Sequence, residues 1–262
     1  MPVLIEQISK TYRDRRGRTL EALADIDFIV RDREFLTILG PSGSGKTTLL
    51  QIVAGLLAPS AGRVVFEGVC PNGRPLSSVV FQEGALFPWR TVEKNIQFGL
   101  EEKGRGKKER RKIAADFMQL VGLSGFADRY PHQLSGGLKQ RAALARALAV
   151  DPYLLLMDEP FSALDAQTRA LMQTELSRIW EQARNSVLYV THNIREAVFL
   201  SDRVLLLSRR PGRVMDLVSI DLPRPRREEV TRARAFQTYL DYLWGRIKDQ
   251  ARESLEEDWC RK

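Results

Sequence analysis

Cysteine is scarce in this chain: only two occur among 262 residues, Cys70 and Cys260. They stand far apart and in no metal-ligand spacing, which excludes a disulfide framework and fits a reducing, cytoplasmic compartment. Long apolar runs are also missing, and no stretch approaches the roughly 18 residues needed to cross a bilayer. The first residues, Met1 to Glu6, lack the basic region and apolar run of a secretory signal. Work at a membrane would therefore require another protein as anchor. The sequence shows no internal repeat, heptad array or low-complexity segment, so neither a repeat array nor a coiled coil is expected.

What is present suits one large α/β domain, or such a domain with a short appendage. Hydrophobic residues make up 44% of the chain, enough to build a core. Net charge is +8, from 41 basic and 33 acidic residues. The basic residues concentrate in two runs, Lys103 to Lys112 and Arg224 to Arg234. Either run can face nucleic acid or anionic lipid, or can be a solvated helix face and a tail. The first run lacks the interleaved aromatics that would stack on bases.

Short apolar runs alternate with helical patterns, which predicts a mostly parallel sheet. Phe35–Leu39, Ser78–Phe81, Tyr153–Met157, Ser186–Val190 and Arg203–Leu207 read as buried strands. Thr47 to Leu57 reads as a helix with Leu49, Leu50, Val53, Leu56 and Leu57 on one face. Residues 91–150 carry helical pattern and charge without a clear strand, and read as a helical insertion. From Glu228 onward Val230, Ala233, Phe236, Leu240, Leu243 and Ile247 recur at helical spacing. Pro223 and Pro225 separate that C-terminal helix from the body.

Three stretches carry chemistry. Gly40-Pro41-Ser42-Gly43-Ser44-Gly45-Lys46-Thr47 fits the phosphate-loop pattern, placed after a strand and opening a helix. Its glycines let backbone N–H groups face phosphate oxygens, and the helix N-terminus adds positive potential. Lys46 is expected to bridge β- and γ-phosphates and the Thr47 hydroxyl to ligate Mg²⁺. Leu154 to Glu159 is an apolar strand ending in two carboxylates, where an α/β sheet presents its ligand chemistry. Asp158 suits a Mg²⁺ hydration shell, and Glu159 suits orienting or deprotonating a water. Leu134-Ser135-Gly136-Gly137-Leu138-Lys139-Gln140-Arg141 opens a second helix with a hydroxyl and mobile backbone N–H groups. A plain N-cap explains Ser135 but not the paired glycines, which weaken a helix.

The order and spacing of these stretches resemble the nucleotide-binding subunits of ABC transporters over about residues 3–220. That resemblance implies a P-loop NTPase core of the ABC type: a mostly parallel sheet, an antiparallel β edge and a helical subdomain. It implies an ATPase domain over 1–222, the helical subdomain inserted at about 91–150, and a C-terminal helical extension over 223–262. It assigns Gly40 through Thr47, with Thr48 and Asp165, to nucleotide binding, and Ser135, Gly136 and Gly137 to the ATP of an opposing subunit. Gln82 matches the glutamine that senses Mg²⁺ and γ-phosphate, Ser162-Ala163-Leu164-Asp165 the adjoining loop, and His192 the histidine that contacts γ-phosphate. Tyr12 stands where the family stacks an aromatic on adenine, or else covers the sheet edge. His192 alone would equally suit a core position; His132 reads as structural.

The resemblance further implies ATP and Mg²⁺ as cofactors and a head-to-tail pair of copies closing on ATP. It implies transmembrane permease subunits and a separate substrate-binding protein as partners, at the cytoplasmic side of the cell membrane. Gln82 to Val92 and Ser208 to Val214 resemble the branch importing nitrate, sulfonates and taurine. Leu86, Phe87 and Trp89 are expected to form part of the permease docking surface, or to pack the helical insertion. The alternative is an ABC ATPase serving nucleic acid or translation. The missing coiled coil and the single ATPase unit disfavour it.

Overall fold

The structure, a computed structural model, describes residues 1–14, 17–68, 74–82, 85–162, 164–183 and 185–260, with backbone alone over 249–260. Its strands are β1 (Val3–Arg13), β2 (Thr19–Val30), β3 (Phe35–Leu39), β4 (Ala61–Phe66), β5 (Ser77–Val80), β6 (Leu154–Asp158), β7 (Ser186–Thr191), β8 (Arg203–Leu207) and β9 (Val214–Ser219). Its helices are α1 (Lys46–Val53), α2 (Val92–Glu102), α3 (Lys107–Leu120), α4 (Gly136–Ala149), α5 (Ala166–Ala183), α6 (Ile194–Leu200) and α7 (Arg234–Cys260). Two compact units divide the chain: Met1–Gly68 with Ser186–Lys262, and Val69–Asn185.

The first unit holds an antiparallel sheet in the order β2-β1-β4 and strands in the order β7-β3-β8-β9. In the latter, β3 lies parallel to β7 and β8, and β9 closes the edge antiparallel to β8. Every residue of β3, β7 and β8 is buried, as expected of strands covered on both faces. The end of β2 instead alternates buried and exposed, the mark of a half-solvated antiparallel strand. In the second unit β5 and β6 pair in parallel, and α4 packs against α2 and α3. Residues 91–150 are helical and contain no strand among the described residues.

The predicted helix after the phosphate loop stops short. Helix α1 ends at Val53, and Leu56, counted on its apolar face from periodicity, is 61% exposed in the turn beyond. The second basic run is also only partly a solvated tail. Arg226 is 2% exposed. Its guanidinium donates to the carbonyls of Val198, Phe199 and Ser201 at the end of α6, and to those of Ile220 and Leu222. Arg224 joins the Leu200 carbonyl and Asp202. A cation over the last carbonyls of a helix satisfies acceptors that the helix leaves open and complements its dipole. Beyond this latch α7 sits on the body through buried Phe236, Leu243 and Ile247, with the Arg195 guanidinium 5.4 Å from the Phe236 ring centroid. Arg226→Met should therefore lower stability by about 2–4 kcal/mol, because buried acceptors lose a charged donor. Denaturant unfolding checks this; a change under about 0.5 kcal/mol, the range of an ordinary surface substitution, would contradict the latch.

Candidate functional site

Strand register brings the candidate residues together within each unit. In the first, Leu39 of β3 lies opposite Thr191 of β7. The chain after β3 (Gly40 onward) and the chain after β7 (His192) thus leave neighbouring parallel strands at the same end. That is the carboxyl end, where open α/β sheets bind ligands. His192 is exposed, so it is not a core histidine. The turn carrying it is held from below. Glu196, 4% exposed, accepts from Thr191 Oγ1 at 2.7 Å and Tyr189 Oη at 3.2 Å. Thr191 Oγ1 accepts from the backbone N–H of Asn193, and Asn193 caps α6 by accepting from Arg195 and Glu196.

The phosphate loop needs its glycines. Gly43 and Gly45 have φ of 77° and 89°, in the left-handed region that side chains resist. A Cβ on Gly45 would also stand 2.9 Å from the Ala22 carbonyl oxygen. Lys46 is only 6% exposed, and its ammonium donates to the Gly40 and Pro41 carbonyls, both at 2.9 Å. The loop thus curls around the ammonium. Within this curl Ser44 Oγ is fully buried and lacks a hydrogen-bond partner among the described residues. A buried hydroxyl left this way calls for an acceptor or donor from a ligand. A polyphosphate fits the loop for that reason. Tyr12 is 38% exposed, and its hydroxyl lies 3.4 Å from Thr48 Oγ1 on α1, which ties the aromatic of β1 to the helix that follows the loop.

In the second unit Val80 of β5 lies opposite Met157 of β6, so Gln82 and the Asp158–Glu159 pair also emerge at one strand end. Ser162 joins them. Its hydroxyl donates to the Glu159 carbonyl at 3.0 Å and accepts from Gln82 Nε2 at 3.0 Å. Glu159 itself holds φ 43°, a left-handed conformation costly for a non-glycine residue and met mainly at functional sites. Asp158 is 8% exposed. Ser162 was not singled out from sequence as the bridge between these two groups; no local spacing signals a bond across 80 residues.

Ser135 caps α4, its hydroxyl 3.4 Å from the Leu138 N–H, and Gly136 and Gly137 form the first turn. Cβ atoms there would meet Leu164 at 3.5 Å and Thr168 at 3.4 Å. Asp165 accepts from the N–H groups of Gln167 and Thr168 at the start of α5. Hydrogen bonds from Thr168, then Gln167, hold its carboxyl below the usual carboxylate range. Ala163 of the same loop lies outside the described residues.

Leu86, Phe87 and Trp89 differ in setting. The Phe87 ring packs 4.6 Å from the Phe98 centroid on α2 and beneath Arg146, while Trp89 is 72% exposed. The packing alternative thus describes Phe87, and the surface reading describes Trp89. Among the described residues no group of three or more His, Cys, Asp and Glu is placed to hold a metal ion. No described helix is long and apolar enough to cross a membrane.

A family model described as "ABC transporter" matches residues 23–162. The chain is 45% identical to the taurine import ATP-binding protein TauB of Pseudomonas putida, over 97% of each. It is 40% identical to the nitrate import ATP-binding protein NrtD of Synechocystis, over 98% of each. Among solved structures it is similar to a dimeric ATP-binding cassette, MJ0796, in a post-hydrolysis state with ADP and Pi. The TM-score is 0.73 and identity 33%, over 84% of this chain and 100% of that one. Nothing in these likenesses points to a nucleic-acid role. The phosphate loop, the two carboxylates at the end of β6 and the Ser-Gly-Gly start of α4 are thus parts of an ATPase cassette, and the chain belongs to the ABC transporter family as one of its ATP-binding subunits.

Proposed function

We propose that this subunit energises a membrane importer for a small compound of the nitrate, sulfonate or taurine type, from the cytoplasmic side of the membrane. The likeness to the taurine and nitrate import proteins, which runs nearly end to end, supports the branch. The hydrolytic part rests on one observation above the others: Gln82 and Glu159 are tied through Ser162 at the carboxyl end of β5 and β6. The glutamine side chain proposed to sense the γ-phosphate is thereby tied to the backbone that carries the carboxylate proposed to handle the water.

In this reading Gly40 to Thr48 hold the phosphates, and Tyr12 stacks on the adenine. Lys46 neutralises the β- and γ-phosphates. Thr47, Gln82 and Asp158 are the residues that would hold Mg²⁺, which supplies charge neutralisation when bound. Glu159 orients the attacking water and takes its proton as the water oxygen bonds to the γ-phosphorus and the bond to the β-bridging oxygen breaks. His192, carried by the Glu196-braced turn, donates to the γ-phosphate. Ser135, Gly136, Gly137 and Asp165 face the nucleotide of a second copy in a head-to-tail pair. Hydrolysis removes the ligand joining the two copies and converts chemistry into opening.

The exposed Trp89 is the proposed anchor for the permease, and a separate substrate-binding protein completes the system. Aromatic anchors at interfaces are worth about 2 kcal/mol or more. Trp89→Ala should leave ATP affinity of the isolated subunit unchanged while co-purification with the permease falls at least about tenfold. Undiminished co-purification would place the docking surface elsewhere.

A further inference from the structure

The loop joining β8 to β9 is seated on the phosphate loop. The Gly212 N–H donates to the Ala22 carbonyl and its own carbonyl accepts from the Ala24 N–H, which bonds it to β2 from both sides. A Cβ on Gly212 would stand 2.2 Å from the Ser44 carbonyl oxygen, so only glycine allows this approach. The Ser208 hydroxyl ties the loop to itself, 2.8 Å from the Arg209 carbonyl and 3.0 Å from that of Pro211, while accepting from the Arg213 N–H. This scaffold brings Arg210 to the phosphate loop. Arg210 Nη2 lies 3.4 Å from where a Cβ of Gly43 would stand. Arg210 is exposed, and among the described residues it has neither an ion pair nor a hydrogen bond.

We propose that Arg210 is a further phosphate-binding residue, whose guanidinium adds a second cation beside Lys46 for the polyphosphate of the nucleotide. The inference rests on reading Gly40 to Thr47 as the phosphate site. A planar guanidinium matches phosphate oxygens in paired hydrogen bonds, and among the described residues no carboxylate is paired with this one. It sits at the rim of the loop in water, so its contribution is modest and salt-sensitive.

The test titrates ATP into the full chain at about 0.05 M and about 0.5 M salt, with Arg210→Gln and Arg210→Lys. Arg210→Gln should bind ATP about three- to tenfold more weakly at low salt, the gap should narrow at high salt, and Arg210→Lys should stay within about twofold. In steady state Arg210→Gln should raise KM for ATP with kcat little changed. Equal affinity for Arg210→Gln and the parent, or a loss that salt does not alter, or an equal loss in Arg210→Lys, overturns the proposal. Lys46→Ala run alongside separates the two levels. If it weakens ATP binding by about tenfold or more while Arg210→Gln binds normally, only the role of Arg210 falls. If Lys46→Ala also binds normally, the phosphate-site reading falls with it.

Discussion

Glu159→Gln should lower ATP hydrolysis by about 10²–10⁴ while leaving ATP binding intact, since that is the usual worth of a positioned base or water-orienting group. Glutamine keeps the size of the side chain and most of its hydrogen bonding but cannot accept a proton. The backbone that sets its direction is unaffected: Ser162 bonds the Glu159 carbonyl through both its N–H, at 3.2 Å, and its hydroxyl. The fold and the strained φ at this position therefore persist, and the loss should appear in kcat alone. Single-turnover hydrolysis with a parallel ATP titration checks it. A variant that hydrolyses at the parent rate would remove Glu159 from the water.

Lys46→Ala should weaken ATP binding by about ten- to a hundredfold, the equivalent of one charged hydrogen-bonding group. The ammonium is buried and points into the curl of the loop, so alanine removes the cation proposed to meet the phosphates. It also strips the Gly40 and Pro41 carbonyls of a donor, so a small fall in melting temperature should accompany the loss. Calorimetric titration beside a melting curve reads both effects. Full ATP affinity in a folded Lys46→Ala protein would show that the loop does not bind phosphate through this group.

Much of the candidate site is legible in the sequence because it is built from local chain geometry. A strand, a glycine-rich turn and a helix start lie within a few residues of one another, and the turn demands glycine for steric reasons. Gly43 and Gly45 in left-handed conformations are the structural form of that demand. The parallel strands were readable for a similar reason, since burial on both faces leaves continuous apolar runs such as Phe35–Leu39. What escaped depends on pairs distant in sequence. Ser162 between Gln82 and Glu159, and Arg226 beneath the end of α6, have no local signature. A run of arginines reads as a solvated tail until the fold supplies carbonyls for two of them. Helix α1 was over-extended because Leu56 and Leu57 continue the apolar period after the backbone has already turned. Phe87 and Trp89, adjacent and both aromatic, could not be separated from sequence, because Phe98 decides which one packs.

In the proposed cycle two copies close head to tail on ATP, each supplying Ser135-Gly136-Gly137 to the other's phosphate loop. Sedimentation of Glu159→Gln with Mg²⁺ and ATP tests it most directly, because a copy that binds but does not hydrolyse should remain closed. A dimer should appear only with ATP and be lost when Ser135→Arg is added to the same chain, since the larger side chain would fill the facing phosphate site. A Glu159→Gln protein that binds ATP yet stays monomeric, or a Ser135→Arg double variant that still dimerises, would contradict it.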